Sequence, residues 1–181
     1  MANVYGDKCD LDKALQYYNK SFSIRLNTLG DNHPDVADSF NNMANVYSDE
    51  GELDRALEYY KKAHSIRLNT LGENHLDVAS SYNNMAIVYS DKGELDKALE
   101  YYNKSLSIRL NTLGENHPDV AQSYNNMAIV YRMTGELDKV LEYHSKSLSI
   151  KLNTLGENHP NVADSYNNMA IVYKEKGELD K

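Results

Sequence analysis

The chain has 181 residues, a formal net charge of −8 and a quarter of its residues charged. That length can bury a sizeable core, an acidic balance without a basic stripe argues against nucleic acid and anionic membrane, and no apolar run approaches the ~20 residues of a membrane span. The single cysteine, Cys9, excludes an intrachain disulfide framework, and the polar start MANVYGDKCDLDK carries no secretory signal, so a reducing, cytoplasmic setting is expected.

A 42-residue period runs from end to end. Gly51, Gly93, Gly135 and Gly177 keep it, and segments 79–120 and 121–162 differ at nine positions, leaving 33 of 42 identical. A fixed period of this size marks a stacked array in which each repeat touches only its neighbours. In this register the chain opens within a first helix, since Met1-Ala2-Asn3-Val4-Tyr5 aligns with Met43-Ala44-Asn45-Val46-Tyr47. The spacing therefore predicts a partial first repeat over 1–36. It holds the end of a first helix (1–8), a turn at Cys9 where other repeats have glycine, and a second helix over 11–29. A side chain at Cys9 would meet the left-handed penalty of ~1–2 kcal/mol. Full repeats follow over 37–78, 79–120 and 121–162, with a last first helix and turn over 163–181. Neither end looks like a polar capping repeat, and the chain reads as a segment of a longer array.

Within a repeat, the first helix is clearest over 118–134. Val120, Ala121, Tyr124, Met127, Ala128 and Tyr131 form one apolar stripe. Pro118 suits the first helical position, Asp119 favours the helix dipole, and Gly135 suits the left-handed residue that ends the helix. Second helices are predicted over 95–113 and 137–155. In the former, Leu95, Ala98, Leu99, Tyr102, Leu106, Leu110 and Leu113 make one face, widened by Tyr101, Ser105 and Ile108. Glu58–Lys62, Glu100–Lys104 and Glu142–Lys146 are i, i+4 pairs in the favourable order. Val140 overfills the small position held by Ala56 and Ala98, and His144 replaces Tyr60 and Tyr102. Each repeat is thus an antiparallel helix pair closed by a short glycine turn, and no strand pattern occurs.

Near-identical repeats rarely carry catalysis, which needs different residues in different roles. No GxGxxG, P-loop, HExxH or CxxC pattern is present, so neither an enzyme nor a cofactor is expected. His33, His75, His117 and His159 recur in the loops before first helices, but stacked helices lie ~8–10 Å apart. That is too far to share one ion, whose ligands stand about 2 Å away. Cys9 lacks a companion motif for a nucleophile. His144 and His64 read as core wedges.

The small and large residues Tyr82, Met85, Ala86, Tyr89, Gly93, Ala98, Tyr102 and Ser105 resemble the tetratricopeptide repeat (TPR). The Asn-Asn pair before the central small residue and the LG-x-x-HP junction are similar to its 42-residue kinesin-light-chain class. The resemblance implies an all-α TPR solenoid, helix pairs stacked into a right-handed superhelix with first helices lining a concave groove. It implies a protein or peptide partner held there. The residues it places in the groove include an asparagine ladder, Asn41, Asn83, Asn125 and Asn167. Beside the ladder run Asn45, Ile87, Ile129 and Ile171, and Arg132 and Lys174 follow. Asparagine offers both donor and acceptor to a peptide backbone. The kinesin-light-chain groove favours acidic peptides through basic residues, whereas here the flanking pairs are Ser48/Asp49, Ser90/Asp91, Arg132/Met133 and Lys174/Glu175, of which only Arg132 and Lys174 are basic. The alternative is a structural module that self-associates end to end, since each end lacks what a neighbouring repeat would supply.

Overall fold

The computed structural model describes the backbone of residues 2–177 and the side chains of 10–177. Eight α-helices and no strand occur among them: α1 (Ala2–Leu29), α2 (Pro34–Asp49), α3 (Leu53–Leu71), α4 (Leu76–Asp91), α5 (Leu95–Leu113), α6 (Pro118–Met133), α7 (Leu137–Leu155) and α8 (Pro160–Glu175). They form two compact units, Met1–Gly93 and Glu94–Lys181. Within each, consecutive helices pack together: α1 on α2, α2 on α3, α3 on α4, and α5 on α6, α6 on α7, α7 on α8. The second helices begin and end where the apolar pattern places them. Gly51 and Gly135 make the hairpin turns within the units, at φ of 76° and 78°.

One expectation is overturned at the start of the chain. Residues 1–8 and 11–29 do not form two helices with a turn at Cys9; the backbone runs through as the single helix α1. The reason is local. The turn needs a residue with positive φ, and the repeat that lacks glycine there continues the helix instead. The Cys9 side chain lies outside the described residues.

In α2 and α6 the predicted stripe is buried: Val36, Ala37, Met43 and Ala44, and Val120, Met127 and Ala128, are at most 1% exposed, Ala121 is 2% and Tyr131 9% exposed, and Tyr124 is half-buried. Val130, outside the predicted stripe, is buried with them. Phe22, Phe40, Tyr59 and Tyr47 form a continuous ring chain through α1, α2 and α3, with centroids 4.9, 5.9 and 5.1 Å apart. The guanidinium of Arg55 caps it, 4.2 Å from the Tyr47 ring. Tyr124, Tyr143 and Tyr131 repeat the motif in the second unit. The tyrosines thus serve helix packing. Burial, followed by the neighbouring Tyr131 hydroxyl, pushes Tyr143 up to about 12. Val140 is fully buried, and one turn on His144 presents a smaller ring than Tyr60 does in α3. The three Glu–Lys pairs all close at 2.6 Å.

Periodicity gave no hint of what joins one helix pair to the next. Arg25, Arg67, Arg109 and Lys151 stand 42 residues apart on second helices. Each donates to a serine on the following first helix: Arg25 to Ser39 at 3.0 Å, Arg67 to Ser81 at 3.0 Å, Arg109 to Ser123 at 2.7 Å and Lys151 to Ser165 at 2.8 Å. Each serine hydroxyl in turn donates to the carbonyl four residues back, at 2.9–3.0 Å. Arg67 also reaches the Asp38 carboxylate on α2 at 2.7 Å and so ties three helices. Arg67→Ala should lower unfolding stability by ~1.5–3 kcal/mol, because it orphans buried acceptors of a charged donor. Lys62→Ala, which removes one exposed helix pair and an ammonium 4.7 Å from the Tyr59 ring, should cost about 1 kcal/mol or less. Urea denaturation of both variants checks the contrast.

Candidate functional site

The predicted groove residues lie on one face of each first helix, in an i, i+4, i+8 row that runs beside the core stripe. The rows are Asn41–Asn45–Asp49 on α2, Asn83–Ile87–Asp91 on α4, Asn125–Ile129–Met133 on α6 and Asn167–Ile171–Glu175 on α8. Asn41, Asn83 and Asn125 are half-buried, while Asn45 and Asn167 are exposed. The isoleucines are open: Ile87 is 39%, Ile129 56% and Ile171 45% exposed, and Met133 is 53% exposed beside them. Arg132 and Lys174 are exposed at the last turns of α6 and α8.

Within each unit a side-chain bond beside this face joins the two first helices. In the first, Asn84 Nδ2 on α4 donates to Asn41 Oδ1 on α2 at 3.1 Å. In the second, Arg132 of α6 pairs with Glu175 of α8. Arg132 is therefore engaged with a carboxylate of its own unit.

Asn41 and Asn125 of the ladder, and Asn45 beside it, have their carbonyl oxygens engaged. Besides the Asn84 bond to Asn41, the Tyr60 hydroxyl donates to Asn45 Oδ1, and His144 Nδ1 lies 3.3 Å from Asn125 Oδ1. The break in the apolar row at Asn45 thus has a cause: it answers a buried phenol. Tyr60 is pushed up to about 12, by burial first and then by the charge of Asp49, so its proton stays to make this bond. With these oxygens occupied, Asn41, Asn45 and Asn125 keep their Nδ2 groups as donors for a ligand.

The loop histidines do more than fill space. His33, His75, His117 and His159 are N-caps: each Nδ1 accepts from the backbone N–H two residues on, at 3.1–3.2 Å. The usual cap residues are Ser, Thr, Asp and Asn, so a residue-type rule passes over them; their fixed place before each first helix was the available signal. His64 packs its ring 4.5 Å from Tyr82. Among the described residues no group of three or more His, Cys, Asp or Glu is placed to hold a metal ion. No helix among them is long and apolar enough to cross a membrane.

His144 introduces a titratable ring beside this face. It is only 8% exposed, and burial, then the charges of Lys151 and Arg132, hold it below the ordinary value of 6.5. A depressed folded value means that the unfolded chain binds the proton more tightly. The stabilisation is complete above 6.5 and is lost as pH falls through the folded value. The second unit should melt at lower temperature at acidic pH, and His144→Tyr should flatten that dependence. Thermal melts followed by circular dichroism at neutral and mildly acidic pH, run on wild type and variant, check this.

The family model described as tetratricopeptide repeat matches residues 1–69, 36–111, 77–153 and 119–181, which together span the chain. Among solved structures, that of BtubC (BKLC) from P. vanneervenii is 26% identical with a TM-score of 0.83, covering 98% of this chain and 71% of that one. A putative kinesin light chain from Podosopora anserina, with nearly identical TPR-like repeats, is 24% identical with a TM-score of 0.79, over 98% of this chain and 84% of that one. MamA, 20% identical over 99% of this chain and 86% of its own, has a TM-score of 0.63. The last two share the fold. A comparison with proteins of curated function gave no match.

Proposed function

The chain belongs to the tetratricopeptide-repeat family, whose arrays are in general non-enzymatic protein-interaction scaffolds, and from that premise we propose that it holds an extended peptide or a partner helix along its first-helix faces. One observation carries the reading. Exposed isoleucines recur at this phase of α4, α6 and α8, and on α6 Ile129 stands one turn from Asn125, whose carbonyl oxygen faces His144, as those of Asn41 and Asn45 on α2 face Asn84 and Tyr60. The row therefore pairs apolar contact area with fixed N–H donors, which suits the carbonyl oxygens of a peptide backbone.

Peptides selected from a displayed random library should bind through this face. Asn125→Ala together with Ile129→Glu should weaken them by about tenfold or more, the scale of losing one buried anchor, without loss of helicity. Fluorescence anisotropy against the selected peptide measures it, and equal affinity for both proteins would refute the groove.

A second reading, association with another copy, is favoured by α8. Tyr166 is 53% exposed and Ala163 and Ala170 are open, whereas Ala37, Ala44, Ala121 and Ala128 at the same positions of α2 and α6 are 0–2% exposed. In α6 this face is covered by α7. Helix α1 of a second copy carries the pattern of α7 in Leu11, Ala14, Leu15 and Tyr18, which stand at the positions of Leu137, Val140, Leu141 and His144. Such a contact is heterologous and can propagate. Sedimentation equilibrium should show mass rising with concentration; a constant monomer mass rules the reading out.

A further inference from the structure

The second unit carries a cleft between α6, α7 and α8 that the groove does not use. In the first unit, the corresponding region is crossed by the Arg67 guanidinium, which forks between Ser81 on α4 and the Asp38 carboxylate on α2. In the second unit three residues of this arrangement change together. Arg67 becomes Lys151, Asp38 becomes Gln122 and Asp77 becomes Asn161. The ammonium is smaller than the guanidinium and is a point charge, not a fork. It reaches Ser165 on α8 at 2.8 Å. Gln122 turns its amide to Asn126 on its own helix at 2.8 Å. What remains is a cavity of about 190 Å³ whose lining combines the apolar Ala121, Ile150 and Leu155 with the polar Gln122, Lys151, Thr154 and Asn161.

Its chemistry is specific. A water takes about 30 Å³, so the space admits a molecule of several heavy atoms. Lys151 has three N–H bonds, of which one goes to Ser165, leaving two for an acceptor. The Thr154 hydroxyl donates to Ile150 O at 2.8 Å and offers only lone pairs to the cavity. The Asn161 side-chain amide supplies a further donor. Burial lowers the Lys151 pKa, an effect that Asp164 partly offsets. An anion delivered to the ammonium would relieve that desolvation.

We propose that this cleft binds a small organic carboxylate, its charged end on Lys151 and Asn161 and its apolar body against Ala121, Ile150 and Leu155. The site belongs to the second unit because only there are the guanidinium and both acidic residues replaced.

Butyrate is a suitable probe, titrated into the isotope-labelled full chain under heteronuclear NMR with chloride balancing ionic strength. Saturable shifts are expected at the amides of Gln122, Thr154 and Asn161. Butyramide, the neutral isostere, should give none. Lys151→Gln keeps the cavity but removes the charge and should weaken binding by about tenfold or more. Lys151→Arg restores the guanidinium found in the other repeats, so it should fold normally and abolish the response by filling the space. No saturable shift with butyrate would overturn the proposal, as would an equal response to butyramide or one that survives in Lys151→Arg. Inorganic phosphate binding as tightly as butyrate would overturn the assigned apolar contact.

Discussion

Everything in this molecule depends on a cation reaching from one helix pair to the next. A second helix and the following first helix belong to different repeats, and the apolar stripes that bring them together are nearly the same in every repeat. Dispersion and burial set how close they come but are non-directional. The basic side chain at Arg25, Arg67, Arg109 or Lys151 supplies direction, because its serine acceptor is itself pinned to the helix backbone. A charged donor in a half-buried setting tolerates little displacement before it loses its partner. The linkage therefore fixes the rotation of each first helix, and with it the direction in which the Asn–Ile row faces.

Much of the fold was legible because helix limits are written in residue types with few alternatives. Pro118 can open a helix but not sit within one, Gly135 can take a positive φ cheaply, and the 3.6-residue stripe between them leaves one face to bury. Second-helix limits at 95–113 and 137–155 follow from the same logic. At the start of the chain the repeat alignment and the local chemistry disagree: the alignment assigns Cys9 a turn that the other repeats owe to glycine, and without glycine the helix runs through.

The site was legible only in part. The phase of Asn41, Asn83, Asn125 and Asn167 beside the stripe places them on one face, but phase says nothing of partners 15 to 43 residues away. That Asn45 answers Tyr60, that His144 answers Asn125 and that Asn84 crosses to Asn41 are tertiary facts. The serine linkage was hidden for a similar reason. An Arg and a Ser fourteen residues apart have no meaning until the loop between them brings their helices together. The imidazole caps were visible by position and missed by type.

The short hairpin turns have a consequence for how such a chain finds its fold. Helices α3 and α7 are identical at twelve of 19 positions, so α7 offers α2 a face similar to that of α3. Surface recognition alone would leave many near-degenerate pairings. Only Glu50, Gly51 and Glu52 separate α2 from α3, and closing so short a loop costs far less entropy than bringing in a helix from elsewhere in the chain. Correct pairing is thus chosen by proximity along the chain. Lengthening one turn should favour exchange of helices between molecules long before it weakens any contact in the folded state.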